Sequence, residues 1–462
     1  MKKYDIAVIG SGSGGLSSAY TALGFSKSVV LIDKNLPGGE CTWSGCVPSK
    51  ALINVAKDMH IIRKYDKNYK MDTKVALDKV KVVIANVYQE ESIEKLTNDG
   101  INFISGQARI ISDGKISVNG EEVLCKSIII STGSSPMIPP IKNLEKINYL
   151  SNDTIFKLDK LPSSMIILGA GAIGVEIAQA LNRLGVRVEL VFRSEAILKK
   201  EETSLAIELE NIIAGEGVII HAKTKSLEVT SDESGVKLDI EKDGKRSTIE
   251  AEAIFVATGR MANVEGIGLK EAGINYDKKG IKVNEFMQTS VKNIYAVGDV
   301  VGPYQFSHMA NVQALVAVQN IVLPINKKVK YDHVAWCTFT DPELARAGMS
   351  EEEVKDKYQD KYRVYEHRFE NVDRARTNFE EDGLVKIICD QKGKILGASI
   401  LGKRAGEMIS EIQVIKTLGI NLGKIADVIH PYPTYGEAIN KIAKKVKVDN
   451  VLNNPLIKLF RK

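Results

Sequence analysis

The strongest constraint on this chain is a plan that it uses twice. The apolar run Tyr4–Ile9 ends in Gly10-Ser11-Gly12-Ser13-Gly14-Gly15, and Met165–Leu168 ends in Gly169-Ala170-Gly171-Ala172-Ile173-Gly174. Each glycine turn leads into a helix-prone stretch, Leu16 to Gly24 in the first copy. A second apolar run follows, Ser28 to Asp33 or Arg187 to Phe192. Each copy later reaches a strand that ends in Thr-Gly: Ser127–Ser131 before Thr132-Gly133, and Ala253–Ala257 before Thr258-Gly259. Strand, glycine turn, helix and strand form a βαβ unit with parallel strands. The repetition predicts two similar α/β domains of Rossmann type.

The remaining segments fill in around this plan. A helix is expected from Cys46 through His60 and a second long one from Ala76 to Asn98. Short strands are expected at Asn102–Ser105, Ala108–Ser112 and Lys115–Val118, and a hairpin at Asp243-Gly244. Past about Tyr331 the grammar changes. Runs at Ala335–Thr338, Tyr362–Phe369, Leu384–Cys389 and Ile395–Leu401 read as antiparallel strands. Helices follow at Ala405–Leu418 and Tyr435–Val446, which makes a separate α+β domain. At roughly 100–200 residues per domain, the 462 residues allow about three domains.

Hydrophobic residues make up 44% and charged residues 26%, so disorder is excluded. A net charge of +5 is a mild excess, and with no basic run carrying aromatics no nucleic-acid partner is expected. Lys2 and Lys3 precede an apolar stretch, but Asp5 and the glycines break it, so it is no signal peptide. Met165–Leu184 contains Glu176, Gln179 and Arg183, so no membrane span is expected. Five cysteines in so long a chain suit a reducing, cytoplasmic location. Cys125, Cys337 and Cys389 stand singly and read as packing residues.

The first fingerprint fits G-x-G-x-x-G, with Gly10, Gly12 and Gly15 placed to bring backbone amides against a pyrophosphate at a helix N-terminus. Asp33 ends the next strand, where an acid binds an adenosine ribose. The second fingerprint, Gly169, Gly171 and Gly174, has no such acid. Phe192-Arg193 occupies the place, and Lys199-Lys200 follows. Cations without the acid suit the 2′-phosphate of NADP and favour NADP(H) over NAD(H). The alternative is that Arg193 and Lys199 are solvated surface cations.

The most specific motif is Cys41-Thr42-Trp43-Ser44-Gly45-Cys46-Val47-Pro48-Ser49-Lys50. A zinc pair would need partner ligands, and no second Cys/His cluster exists, so no structural metal is expected. Two unrelated cysteines are the other alternative. Lys50 lies one helical turn beyond Cys46, where a cation favours the thiolate.

With these motifs the chain resembles, over essentially its whole length, the FAD-dependent pyridine nucleotide–disulfide oxidoreductases, including dihydrolipoamide dehydrogenase, glutathione reductase and mercuric reductase. Tyr295-Ala296-Val297-Gly298-Asp299 is similar to the family's second FAD motif. Ser131-Thr132-Gly133 and Ala257-Thr258-Gly259-Arg260 are similar to its Thr-Gly strand ends, and Thr340-Asp341-Pro342-Glu343 to its dimerisation signature. The resemblance implies FAD on the first fingerprint with Asp33, Thr132, Gly133 and Asp299. It implies NADP(H) on the second with Arg193, Lys199 and Gly259. It makes 1–150 the first part of the FAD-binding domain, 151–265 the NAD(P)-binding domain, 266–330 the central segment and 331–462 the dimerisation domain of a homodimer. Electrons would pass from NADPH through flavin to a Cys41–Cys46 disulfide. Cys46 would be the flavin-proximal thiol and Cys41 the exposed interchange thiol, with Lys50 near the flavin and paired to Glu176.

One segment departs from the thiol-exchanging members, which carry His-x-His-Pro-Thr-x-x-Glu near the C-terminus with the second His as base. Here it reads His430-Pro431-Tyr432-Pro433-Thr434-Tyr435-Gly436-Glu437. Tyr432 takes the base position, Glu437 keeps its place, and His430 matches the other His. A Tyr with a pKa near about 10 stays protonated at neutral pH and makes a poor general base. Tyr here resembles mercuric reductase-like members, in which the Cys pair grips a soft ion and a phenol assists. Two mercuric reductase features are absent from the sequence: an N-terminal Cys-pair module, and a Cys pair in the tail Leu459-Phe460-Arg461-Lys462. The reading is a mercuric reductase-like oxidoreductase whose acceptor is a soft ion or another small oxidant. The alternatives are a dihydrolipoamide dehydrogenase-type enzyme using His430 and a non-catalytic redox sensor.

Overall fold

The computed structural model describes residues 3–324 and 326–453; the tail Leu459–Lys462 lies outside them. The first sheet has a parallel core ordered Asn102–Ser105, Val29–Asp33, Lys3–Ile9, Glu121–Ile130. Ile294–Ala296 joins it parallel to the C-terminal half of Glu121–Ile130, pairing Ile294 with Ile128 and Ala296 with Ile130. The central segment thus returns to the first sheet. Lys115–Val118 and Ala108–Ser112 extend the sheet antiparallel. Strands covered on both faces read as continuous apolar runs, and Ile6, Ala7, Val8 and Ile9 are all buried.

The second sheet repeats the design, ordered Ile219–His221, Arg187–Val191, Ser164–Leu168, Ala253–Val256, all parallel. A three-stranded antiparallel sheet, Lys225–Asp232, Gly235–Lys242 and Lys245–Ala251, carries the hairpin at Asp243-Gly244. The third unit is a five-stranded antiparallel sheet ordered Ala335–Thr338, Glu343–Gly348, Ile395–Gly402, Leu384–Asp390, Tyr362–Arg368. Helices Ala405–Thr417 and Glu437–Leu452 share its core. The architecture is α/β, two Rossmann-like sheets plus an α+β domain.

Three local expectations are corrected. The helix expected over Ala76–Asn98 is two helices, Thr73–Gln89 and Ile93–Asn98. The second starts at Ser92, whose hydroxyl accepts from the Lys95 N–H at 3.2 Å, a cap that begins a helix anew. The strand Glu343–Gly348 is not among the strands expected from the sequence, in which only Glu343 belongs to the dimerisation signature. Its Glu-Leu-Ala-Arg-Ala-Gly lacks β-branched residues, but burial on both sides holds it in the sheet. The last helix begins at Glu437 and reaches Leu452. No helix among the described residues is long and apolar enough to cross a membrane.

Candidate functional site

The two fingerprints are built alike. Gly10 and Gly169 have φ of 99° and 100°, a region favouring glycine. A Cβ on Gly10 would overlap the Ser131 carbonyl, and one on Gly169 the Ala257 carbonyl, each just before a Thr-Gly end. A Cβ on Gly15 or Gly174 would overlap the carbonyl of its own first glycine. The middle glycines differ. A Cβ on Gly12 would stand 3.7 Å from its nearest neighbour, Gly39 Cα, and one on Gly171 would meet nothing within 4 Å. The chain's own packing therefore demands the outer glycines and leaves open space at the middle ones. Gly12 and Gly171 also cap their helices with no side-chain hydrogen bond. The free helix N–H groups and that open space fit a dinucleotide pyrophosphate.

Around the first cradle, the Asp33 carboxylate accepts from Ser11 N–H at 2.7 Å and Ser11 Oγ at 2.8 Å, which fixes it at its strand end. Thr132 Oγ1 donates to the Asn263 carbonyl at 2.7 Å, and Gly133 turns with φ of 68°. Ser134 Oγ donates to Asp299 at 2.5 Å. Around the second, Arg193 and Lys199 are exposed, and neither pairs with an acid among the described residues. Both line a large cavity that also reaches Gly12, Gly171, Gly259, Cys41 and Cys46. Its volume, about 3910 Å³, is several times that of a drug-sized pocket.

Cys46 opens the helix Cys46–Tyr65. At a helix N-terminus the orphan N–H groups favour an anion. Cys41, from the short helix Gly39–Trp43, lies within hydrogen-bonding reach and holds the Cys46 pKa down to about 6; Ser307 and the charge of Lys50 add to this. The Cys46 Sγ is 3.4 Å from Ser307 Oγ. The same contact with Cys46, joined by burial, pushes the Cys41 pKa up. One turn along, Lys50 Nζ donates to Glu176 Oε2 at 2.9 Å. The buried Glu176 also accepts from the Phe339 N–H at 2.8 Å, and the Lys50 ammonium lies 4.7 Å above the Phe339 ring. The two carboxylate oxygens are thus committed to different partners and the ammonium is held in place. Cys46 is exposed to the cavity and Cys41, half-buried beside it, lines the same cavity. Of the other cysteines, Cys125 and Cys389 are buried as expected, whereas Cys337 is only half-buried and lines the cavity.

Sequence reasoning missed Ser307, Phe339 and Glu40. The Arg260 guanidinium grips both Glu40 oxygens, with Nη1–Oε1 at 2.6 Å, and donates through Nε to Ser134 Oγ at 2.7 Å. Asn152 also donates to Glu40 at 2.6 Å. Burial raises the Glu40 pKa to about 6 although Arg260 opposes it. The pair ties the Cys41 helix to both Thr-Gly ends. An acid beside Cys41 carries no signal of this, since its partner lies 220 residues away.

The C-terminal candidates lie apart. His430, Tyr432 and Glu437 do not line the cavity. Tyr432 is 70% exposed, and its phenol donates to Asp373 at 2.9 Å, which raises its pKa. His430 Nε2 is 2.9 Å from Glu411 and its Nδ1 3.2 Å from Asn440 Nδ2. Glu437 pairs with Lys441 at 2.9 Å. No group of three or more His, Cys, Asp or Glu among the described residues could hold a metal.

Comparison with known proteins agrees with this geometry. The family model for pyridine nucleotide-disulphide oxidoreductases matches residues 4–319, and that for their dimerisation domain matches residues 334–443. Dihydrolipoyl dehydrogenase of Bacillus subtilis (strain 168) is 32% identical over 466 residues, covering 96% of this chain and 97% of that protein. Mercuric reductase of Lysinibacillus sphaericus is 30% identical over 450 residues, covering 95% and 82%. The Cu(II) complex of the HOCl-induced flavoprotein disulfide reductase RclA from Escherichia coli matches with a TM-score of 0.87 at 26% identity, covering 96% and 100%. The chain belongs to the pyridine nucleotide-disulphide oxidoreductases, flavin-dependent enzymes that bind FAD and a pyridine nucleotide.

Proposed function

We propose that the enzyme oxidises NADPH and reduces a Cys41–Cys46 disulfide, whose thiols serve a small acceptor, foremost a soft metal ion. One arrangement supports this reading. Cys46 stands at a helix N-terminus against Ser307, one turn from the Lys50–Glu176 pair, on a cavity reaching both fingerprints. FAD, when bound, supplies a two-electron relay from the reduced nucleotide to the sulfurs. Gly10, Gly12, Gly15, Asp33, Thr132, Gly133 and Asp299 would hold it. Gly169, Gly171, Gly174, Gly259, Arg193 and Lys199 would hold NADPH. Lys50 supplies positive charge where Cys46 becomes a thiolate, and Glu176 keeps that ammonium in place.

Two thiolates are soft donors and suit Hg(II) or copper. The mercuric reductase relative and the Cu(II) complex of the RclA match favour such an acceptor. The segments 1–150, 151–265, 266–330 and 331–462 act as first FAD part, nucleotide part, central return and dimerisation part of a cytoplasmic homodimer. In it, Tyr432 and Glu437 of one protomer complete the site of the other. The Bacillus subtilis relative favours a second reading, lipoamide chemistry with His430 as base. That role competes with the contacts of His430 to Glu411 and Asn440.

The test is NADPH consumption with Hg(II), Cu(II), lipoamide and a quinone in turn. The proposal expects a soft ion to outpace lipoamide and Cys46→Ser to abolish the ion-dependent rate. Fast lipoamide turnover by the wild type would overturn it.

A further inference from the structure

We propose that nucleotide choice is set from the dimerisation domain, where Trp336 and Arg346 hold the loop that carries Lys199 beside the second fingerprint. The inference rests on the reading of NADPH as donor and names residues that act through Lys199.

The loop is tied on both sides of Lys199. Before it, the Leu198 N–H donates to the Ala170 carbonyl within the fingerprint at 2.8 Å, and Leu198 takes a left-handed φ of 50°. After it, three successive residues are held by another domain. The Lys200 carbonyl accepts from Arg346 Nη1. The Glu201 carboxylate accepts from Trp336 Nε1 at 2.7 Å. The Glu202 carboxylate accepts from Lys386 Nζ and from the Glu351 N–H, both at 2.9 Å. The Lys199 side chain, in contrast, is exposed and makes no ion pair with a described residue. Its backbone is fixed while its charge stays available to a ligand.

The holding residues are themselves held. Arg346 is 4% exposed, donates to the Gly348 carbonyl at 3.0 Å, pairs with Glu353 and lies 5.2 Å over the Trp336 ring. Trp336 stacks on Phe306 with ring centroids 5.8 Å apart. A loop ordered before binding loses less entropy when its lysine meets a phosphate. The benefit falls on the 2′-phosphate alone, so NADH, which lacks it, should not feel the loop loosen. These ties join residues 135 and 146 positions apart, which is why the cations near the fingerprint reveal nothing of them.

The experiment measures kcat/KM for NADPH and NADH in the holoenzyme with one fixed acceptor. It uses wild type, Trp336→Phe, Lys199→Ala and the double variant. Trp336→Phe keeps a smaller stacking ring and removes the Nε1–H donor. The NADPH-to-NADH ratio should fall about tenfold in Trp336→Phe, the loss of one charge-assisted contact, through a higher KM for NADPH. In the Lys199→Ala background the same change should cost nothing more, as coupled residues behave in a double-mutant cycle. Should Trp336→Phe fail to fold, Glu201→Ala reads the same contact. A wild type that prefers NADPH with an unchanged or additive ratio overturns the inference and leaves the donor reading standing. A wild type that prefers NADH overturns both.

Discussion

Removing Cys41 should make Cys46 a much weaker acid. Cys41 is the largest cause of the Cys46 pKa falling to about 6, ahead of Ser307 and of the charge on Lys50. A hydrogen bond to a charged group is worth about 1.5–3 kcal/mol, and about 1.36 kcal/mol moves a pKa by one. Cys41→Ala should therefore raise the Cys46 midpoint to about 7–8. At pH 7 its thiolate fraction should drop from about nine-tenths to between about half and one-tenth. The assay is the rate of iodoacetamide alkylation at Cys46 of reduced protein against pH, read by mass spectrometry. Only the thiolate reacts, so the wild-type rate should rise through pH 6 and fall away below it. The variant curve should be displaced upward. A wild-type midpoint near about 8.5, that of a free thiol, or an unmoved midpoint in Cys41→Ala, would refute the reasoning.

Other consequences are as direct. Gly12→Ala should fold but lose flavin affinity, whereas Gly15→Ala should fail to fold; urea unfolding and flavin titration separate the two. Glu176→Ala strands the Phe339 N–H and the Lys50 ammonium, and should lower stability by about 1–3 kcal/mol in denaturant unfolding. Tyr432→His restores an imidazole at the base position and should raise lipoamide-dependent NADPH oxidation by about a hundredfold or more; no gain would show that Tyr432 is not what limits that reaction.

The doubled βαβ plan was legible because its outer glycines answer to local backbone overlap, with Gly15 against Gly10 and Gly174 against Gly169. The Lys50–Glu176 pair was legible only through the family likeness, since 126 residues separate the two. What stayed hidden depends on distant partners. Glu40 acquires its role from Arg260, and the loop after Lys199 from Trp336 and Arg346. The strand Glu343–Gly348 escaped because burial on both sides, not β-propensity, places it.

The central claim is that NADPH reduces a Cys41–Cys46 disulfide. Anaerobic protein, first air-oxidised, is alkylated under denaturing conditions before and after one equivalent of NADPH, and each cysteine is read by mass spectrometry. The account predicts that Cys41 and Cys46 are protected before NADPH and both labelled after it, with Cys125, Cys337 and Cys389 unchanged. Labelling of Cys41 and Cys46 that is the same with and without NADPH would contradict it.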